Sequence, residues 1–405
     1  MIRNQNTLYY TFMTQIFDLL FKYSVPVNLN SWWNYGFLAG MFLSVQLVTG
    51  IFLTFFYIPQ SDLAYSSVQT IMREINYGWL IRYIHLNGAA FFFLVVYLHM
   101  ARSLYYKSYF YPRTNVWLVG VVIFFCMMGT AFLGYVLPWG QMSFWAATVI
   151  TNFLTAIPIV GKNITYIVWG GYSINEMTLT RFFSLHYLLP FVISLLSLYH
   201  ILLLHKTRSS TPIGIHIKKI SYVEFHPYFT TKDQLFLIYY FIGFFIILGL
   251  VDPELLNHSD NYIPADPMVT PPHIVPEIYF LPFYGVLKTI SNKLIGIIAM
   301  FLSIFILFIL PYLFNTAQKK KLNLIKYKNN RHKKRIMIFV SNFIFLGYIG
   351  SESPNYPWVN IGIVINHIYI LLFILINNVD LMQFQYKPLI SKNTKKLIKT
   401  NTTGC

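Results

Sequence analysis

Of the 405 residues, 56% are hydrophobic and 11% are charged, whereas soluble domains carry about 25% charged residues. With a mean hydropathy of +0.54, the chain has too few polar groups to cover a water-facing surface, which excludes a soluble enzyme or binding module and implies an integral membrane protein. The formal charge of +17 invites a nucleic-acid partner, but the placement of the cations argues against one.

Residues 1–30 set Leu8, Phe12, Ile16, Leu19 and Leu20 at helical spacing, the pattern of an amphipathic helix lying on a membrane rather than of a cleaved leader. A spanning helix needs about 20 apolar residues. Eight stretches qualify: 36–58, 83–101, 114–137, 182–205, 234–251, 294–314, 336–350 and 358–379, of which the seventh is the shortest. Two more apolar stretches, 145–161 and 163–173, are interrupted by Pro158, Gly161, Lys162, Gly170 and Gly171, and read as short interfacial helices. The fold class that follows is an all-α membrane protein with eight transmembrane helices. Residues 31–210 would form a four-helix bundle with interfacial helices at about 142–175. Residues 211–380 would form a second four-helix region carrying a loop at 251–293, and residues 381–405 a polar basic tail.

Eight spans make the connecting segments alternate between two sides. One side, which also holds both termini, collects 24 of the 30 Lys and Arg but only 4 of the 13 acids. That bias is the positive-inside rule, and it puts both termini on the matrix or cytoplasmic face. The basic run 319–335 then reads as a solvated loop near anionic headgroups, not a nucleic-acid site.

Four histidines stand inside the spans, where ionisable side chains are costly and usually functional. His85 and His99 are fourteen residues apart in the second span, and His186 and His200 are fourteen apart in the fourth. Fourteen residues come within about 40° of whole turns and rise about 21 Å, so each pair shares one helix face. One intervening span returns the chain, so the two helices run in the same direction. His85 and His186 therefore meet at one depth, His99 and His200 at another. Two opposed imidazoles suit a flat six-coordinate iron better than tetrahedral zinc, which points to two haems. The chain has two cysteines, Cys126 and Cys405, and no Cys-x-x-Cys-His motif, so those haems would be held non-covalently.

Glycines repeat the interval in the flanking spans, Gly36 with Gly50 and Gly120 with Gly134. Small residues permit close helix packing, and they also leave room where a porphyrin edge meets a helix. Arg82 and Arg102, each three residues from a histidine of the ladder and just outside the predicted second span, are suited to haem propionates.

The runs 76–88 (NYGWLIRYIHLNG), 134–145 (GYVLPWGQMSFW), 179–183 (LTRFF) and 271–279 (PPHIVPEIY) carry a resemblance. The chain is similar to the mitochondrial cytochrome b family, the di-haem subunits of ubiquinol–cytochrome c oxidoreductase, closely over about 30–315 and more loosely in the last two spans. The resemblance implies a low-potential haem on His85 and His186 and a high-potential haem on His99 and His200, with ubiquinol and ubiquinone as substrates. Quinol oxidation would lie between 134–147 and the loop carrying Pro276, Glu277 and Tyr279. Quinone reduction would involve His205 and Asp233. The implied partners are a Rieske iron–sulfur protein and a cytochrome c1-type subunit in a dimeric complex. The implied location is the mitochondrial inner membrane with both termini on the matrix side, and electron transfer there would drive proton translocation. Three departures stand out: Ile278 replaces a usual tryptophan, Ala146 a usual glycine and Ser291 a common proline. The Ala146 methyl should narrow the quinol pocket and weaken inhibitors packed against it. A rival class, a transporter using histidine proton relays, would show broken helices and internal repeats, and the first four spans show neither.

Overall fold

The computed structural model describes residues 14, 23–212, 221–246, 251–313 and 330–382. The expected surface helix of residues 1–30 and the basic run 319–335 therefore fall mostly outside the described residues, and the polar tail almost wholly so. Twelve helices are described: α1 Tyr35–Thr54, α2 Ala64–Arg73, α3 Gly78–Tyr105, α4 Thr114–Val136, α5 Gln141–Thr151, α6 Gly161–Trp169, α7 Glu176–Thr207, α8 Tyr228–Phe244, α9 Leu281–Lys288, α10 Lys293–Ile309, α11 Asn330–Ser351 and α12 Trp358–Met382. Among the described residues, six are long and apolar enough to cross a bilayer: α1 with its preceding turn, α3, α4, α7, α10 with its following turn, and α12. The chain is thus a mostly helical multi-pass membrane protein.

Helices occupy all eight predicted places, with shifted ends. α3 runs from Gly78 to Tyr105, so Arg82 and Arg102 lie within the helix and not beyond it. Hydropathy alone ends a span at the first charge, whereas backbone hydrogen bonding continues as long as the ends can be satisfied. α7 opens at Glu176, six residues before the apolar stretch, because Asn175 and Thr178 form a reciprocal capping box. α8 likewise begins at Tyr228, upstream of Asp233. α11, expected to be short, is 22 residues long because its first turns carry Arg331, Lys333, Lys334 and Arg335. The interfacial stretch resolves into α5, a 3₁₀ turn at Asn152–Ala156, and α6, which ends on the left-handed Gly170.

The bundle is built from two tight pairs, α1 along α3 and α4 along α7, with α1 also touching α7. Aromatic rings fill the core beside it; Phe42, Phe124 and Phe244 are almost wholly buried. The C-terminal group packs α9 on α11 and α11 on α12, and reaches the bundle through α11 on α3 and α10 on α4. A two-stranded antiparallel ladder, Ser24–Pro26 with Tyr222–Glu224, joins the segment before α1 to the segment before α8. Three-residue strands leave too weak an alternation to be read from sequence.

Candidate functional site

The structure brings the four ladder histidines together in the expected pairs. The His85 and His186 rings have centroids 6.2 Å apart, and those of His99 and His200 are 6.4 Å apart. Imidazole nitrogens bind first-row metals at about 2.0–2.1 Å, so two rings on opposite sides of one metal would have centres about 6.3 Å apart. Both spacings therefore fit one bis-imidazole metal each.

Each ladder glycine faces one ladder histidine. A Cβ on Gly50 would stand 3.1 Å from His85 Cε1, and one on Gly36 would stand 3.2 Å from His99 Cε1. On the other pair of helices, Gly120 faces His200 at 3.1 Å, and a Cβ on Gly134 would collide with His186. The glycines thus make room for the imidazoles themselves, a more specific role than the expected clearance for a porphyrin edge. Removing four Cβ atoms lets the rings sit between the helices and point inward.

Hydrogen bonds fix the first pair. Thr49 Oγ1 lies 2.9 Å from His85 Nδ1, and the Thr130 carbonyl lies 2.8 Å from His186 Nδ1. The arginines are cationic groups in search of an acceptor. Arg82 is buried with its NH1 unpartnered, and Arg102 has an unpartnered Nε, with its NH2 3.3 Å from His99 Nδ1. Unpaired buried guanidinium N–H groups are expensive, and a carboxylate such as a haem propionate would satisfy them. Histidine spacing, glycine clearance and orphaned arginines all fit a haem at each pair.

A cavity of about 230 Å³ opens beside the first pair and is lined by Gly50, Arg82, His85, Gly134, His186, Glu277 and Tyr279, among others. Glu277 meets Tyr135 through a side-chain hydrogen bond, and burial pushes its carboxyl up to about 7. Tyr279 is buried, stacks on Phe93 with centroids 4.3 Å apart, and accepts a 2.6 Å hydrogen bond on its carbonyl from Tyr97. Pro276 is not among the lining residues, and Ile278 is 52% exposed. Ala146 is buried on α5 and is not among the lining residues, so the cavity does not show the narrowing expected from its methyl.

The loop is held against α5 by groups that sequence reasoning did not single out. Asn261 Oδ1 accepts from Ser143 N and Oγ at 3.0 and 2.9 Å. Gln141 binds the Val269 carbonyl and the Asp266 amide, each at 2.9 Å. At Gly140 the loop backbone comes so close that a Cβ would strike Asn261. Tyr135 had one visible signal, its place directly after Gly134, whereas Asn261 had none.

At the other end, His205 and Asp233 are held by different partners. His205 stacks on Tyr23 with centroids 4.2 Å apart, and Asp233 accepts a hydrogen bond from the Asn34 side chain. No described hydrogen bond joins His205 to Asp233. Tyr23 and Asn34, both missed in the sequence, tether these two residues to the start of the bundle.

Comparisons with known proteins give the family. Residues 20–208 match the family model described as cytochrome b/b6/petB, and residues 264–370 match cytochrome b(C-terminal)/b6/petD. The chain belongs to the cytochrome b family. Among its relatives, the cytochrome b of Acanthamoeba castellanii is 48% identical over 366 residues, covering 90% of this chain and 93% of that protein. The cytochrome b of Rickettsia bellii is 49% identical over 343 residues, or 84% of each chain. A chain from the solved structure of a hyperthermophilic respiratory complex III superposes with a TM-score of 0.84 at 31% identity, covering 92% of this chain and 97% of its own. Haem binding goes with the family, and so does membership of a multi-subunit membrane complex.

Proposed function

We propose that this chain is the quinol-oxidising, quinone-reducing subunit of a respiratory ubiquinol–cytochrome c oxidoreductase, holding one haem b between His85 and His186 and another between His99 and His200. The observation that carries this reading is the register shared by four helices: every ladder glycine meets a ladder histidine, and both histidine pairs have the spacing of a bis-imidazole site. When bound, the haems supply one-electron carriers and the quinones the two-electron, two-proton chemistry.

The residues divide the remaining tasks. Residues 31–210 hold both haems, and 211–380 supply the quinol loop. Arg82 and Arg102 anchor propionates. Glu277 accepts a proton from quinol bound in the cavity, its raised carboxyl being matched to work near neutral pH. Tyr279 forms the packed wall beside it. His205 and Asp233 deliver protons to quinone at the opposite face. One electron leaves to a Rieske iron–sulfur protein and on to a cytochrome c1-type subunit; the other crosses the bilayer along the ladder. Charge bias supports eight spans with both termini on the matrix side of a mitochondrial inner membrane. Quinol-driven reduction of cytochrome c by the purified complex tests the assignment. A complex that turns over normally after Glu277→Gln and Tyr279→Ala are combined would contradict the quinol-site part of it.

A further inference from the structure

Both histidines of the first pair meet an oxygen acceptor at Nδ1, and at His85 that acceptor is a side-chain hydroxyl. The Thr49 hydroxyl has a single proton, and it donates to the Val45 carbonyl at 2.7 Å. Its oxygen, 2.9 Å from His85 Nδ1, therefore accepts. The Thr130 carbonyl can only accept, 2.8 Å from His186 Nδ1. At the second pair, His99 Nδ1 faces the Arg102 guanidinium at 3.3 Å, which can only donate. His200 meets the backbone of Val116. The residue beside Gly50 is Thr49, but the residue beside Gly36 is Tyr35, whose hydroxyl is engaged 2.8 Å away by Tyr240.

We propose that Thr49 is a positioning residue that locks His85 with its proton on Nδ1, and that this bond lowers the reduction potential of the His85/His186 site. An acceptor on Nδ1–H leaves Nε2 free for the metal and makes it a more basic ligand. A more basic ligand stabilises the ferric over the ferrous state. The half-reaction concerned is uptake of one electron by ferric iron, which a more basic imidazole opposes. Gly50 and Thr49 act together: the glycine vacates the space for the ring, and the threonine captures its far nitrogen.

This inference rests on the haem assignment above, and redox titration of the purified complex with mediators separates the two. Thr49→Val keeps the branched shape and removes the acceptor. It should shift the reduction equilibrium at the first site toward the reduced form by about threefold to tenfold, tenfold being about 59 mV for one electron. The second site should not move, and Thr49→Ser should restore the wild-type value. Thr49→Ala, which removes the hydroxyl and the γ-methyl together, is the companion variant without a methyl in the place of the hydroxyl. Loss of the first haem alone in both the Val and Ala variants, with retention in Ser, would also support the positioning role. An unmoved potential in both variants, or a Ser variant that behaves like Val, would overturn it. Absence of haem from the wild-type complex would instead overturn the haem assignment.

Discussion

The N-terminal bundle and the C-terminal loop region contribute to one site by different means. In the bundle, partner residues are set by helical register: Gly36, Gly50, Gly120 and Gly134 repeat the period of His85, His99, His186 and His200, and each glycine meets one histidine. In the loop region, the partners are brought together by tertiary folding across more than a hundred residues, as with Tyr135 and Glu277 or Ser143 and Asn261. Periodic sites are therefore readable from one sequence, and sites assembled by long-range docking are not.

The largest effects should follow from breaking the register. His186→Leu should abolish one of the two haem absorption bands and leave the other, with quinol turnover falling to background. Gly134→Ala should come next, because its Cβ would collide with His186, whereas the Gly36 Cβ would stand 3.2 Å from His99. Overpacking costs about 1–3 kcal/mol, so haem occupancy should drop more in Gly134→Ala than in Gly36→Ala. Equal occupancy in the two variants would break the link between clearance and binding.

Loop variants should change rate without changing haem content. Glu277→Gln should lower turnover about a hundredfold. Only the ionised carboxylate can accept a proton, and burial raises this carboxyl to about 7. Wild-type kcat/KM should therefore rise as pH passes upward through about 7, and that limb should vanish in the Gln variant. A smaller effect is expected for Asn261→Ala, which leaves the Ser143 amide and hydroxyl without their shared acceptor. The cost should be about 1–3 kcal/mol, seen as a raised KM for quinol and a lowered thermal midpoint.

The smallest effect should come from the far end of the C-terminal group. Asn366 donates to Thr289 Oγ1 at 3.0 Å in a buried seam. Membrane hydrogen bonds of this kind average about 0.6 kcal/mol. Asn366→Leu should lower the thermal midpoint slightly and leave the haem spectrum unchanged; a spectral change would show that the two regions are more tightly coupled than their contacts suggest.

The same contrast explains what the sequence made legible. The helices and the pairing of the four histidines followed from hydropathy and the 3.6-residue period. The true start of α8 and the 22-residue extent of α11 did not, because Lys232 and Asp233 near the start of α8 and the cations at the start of α11 hide a helix from hydropathy. Arg82 and Arg102 were placed near the correct histidines but outside a helix that in fact contains them. Glu277 and Tyr279 were reached only through resemblance to a family, since a loop acid has no period. Tyr23 beside His205 and Asn34 beside Asp233 were not legible at all. Their contacts depend on how the segment before α1 folds back toward the ends of α7 and α8.

The most direct measurement is the haem b content per chain of the purified complex, repeated with His85→Leu and His99→Leu. Two haems in the wild type and one in each variant, with a different absorption band missing each time, is the expected result. A single haem in the wild type, or the same band lost in both variants, would contradict the two-site ladder.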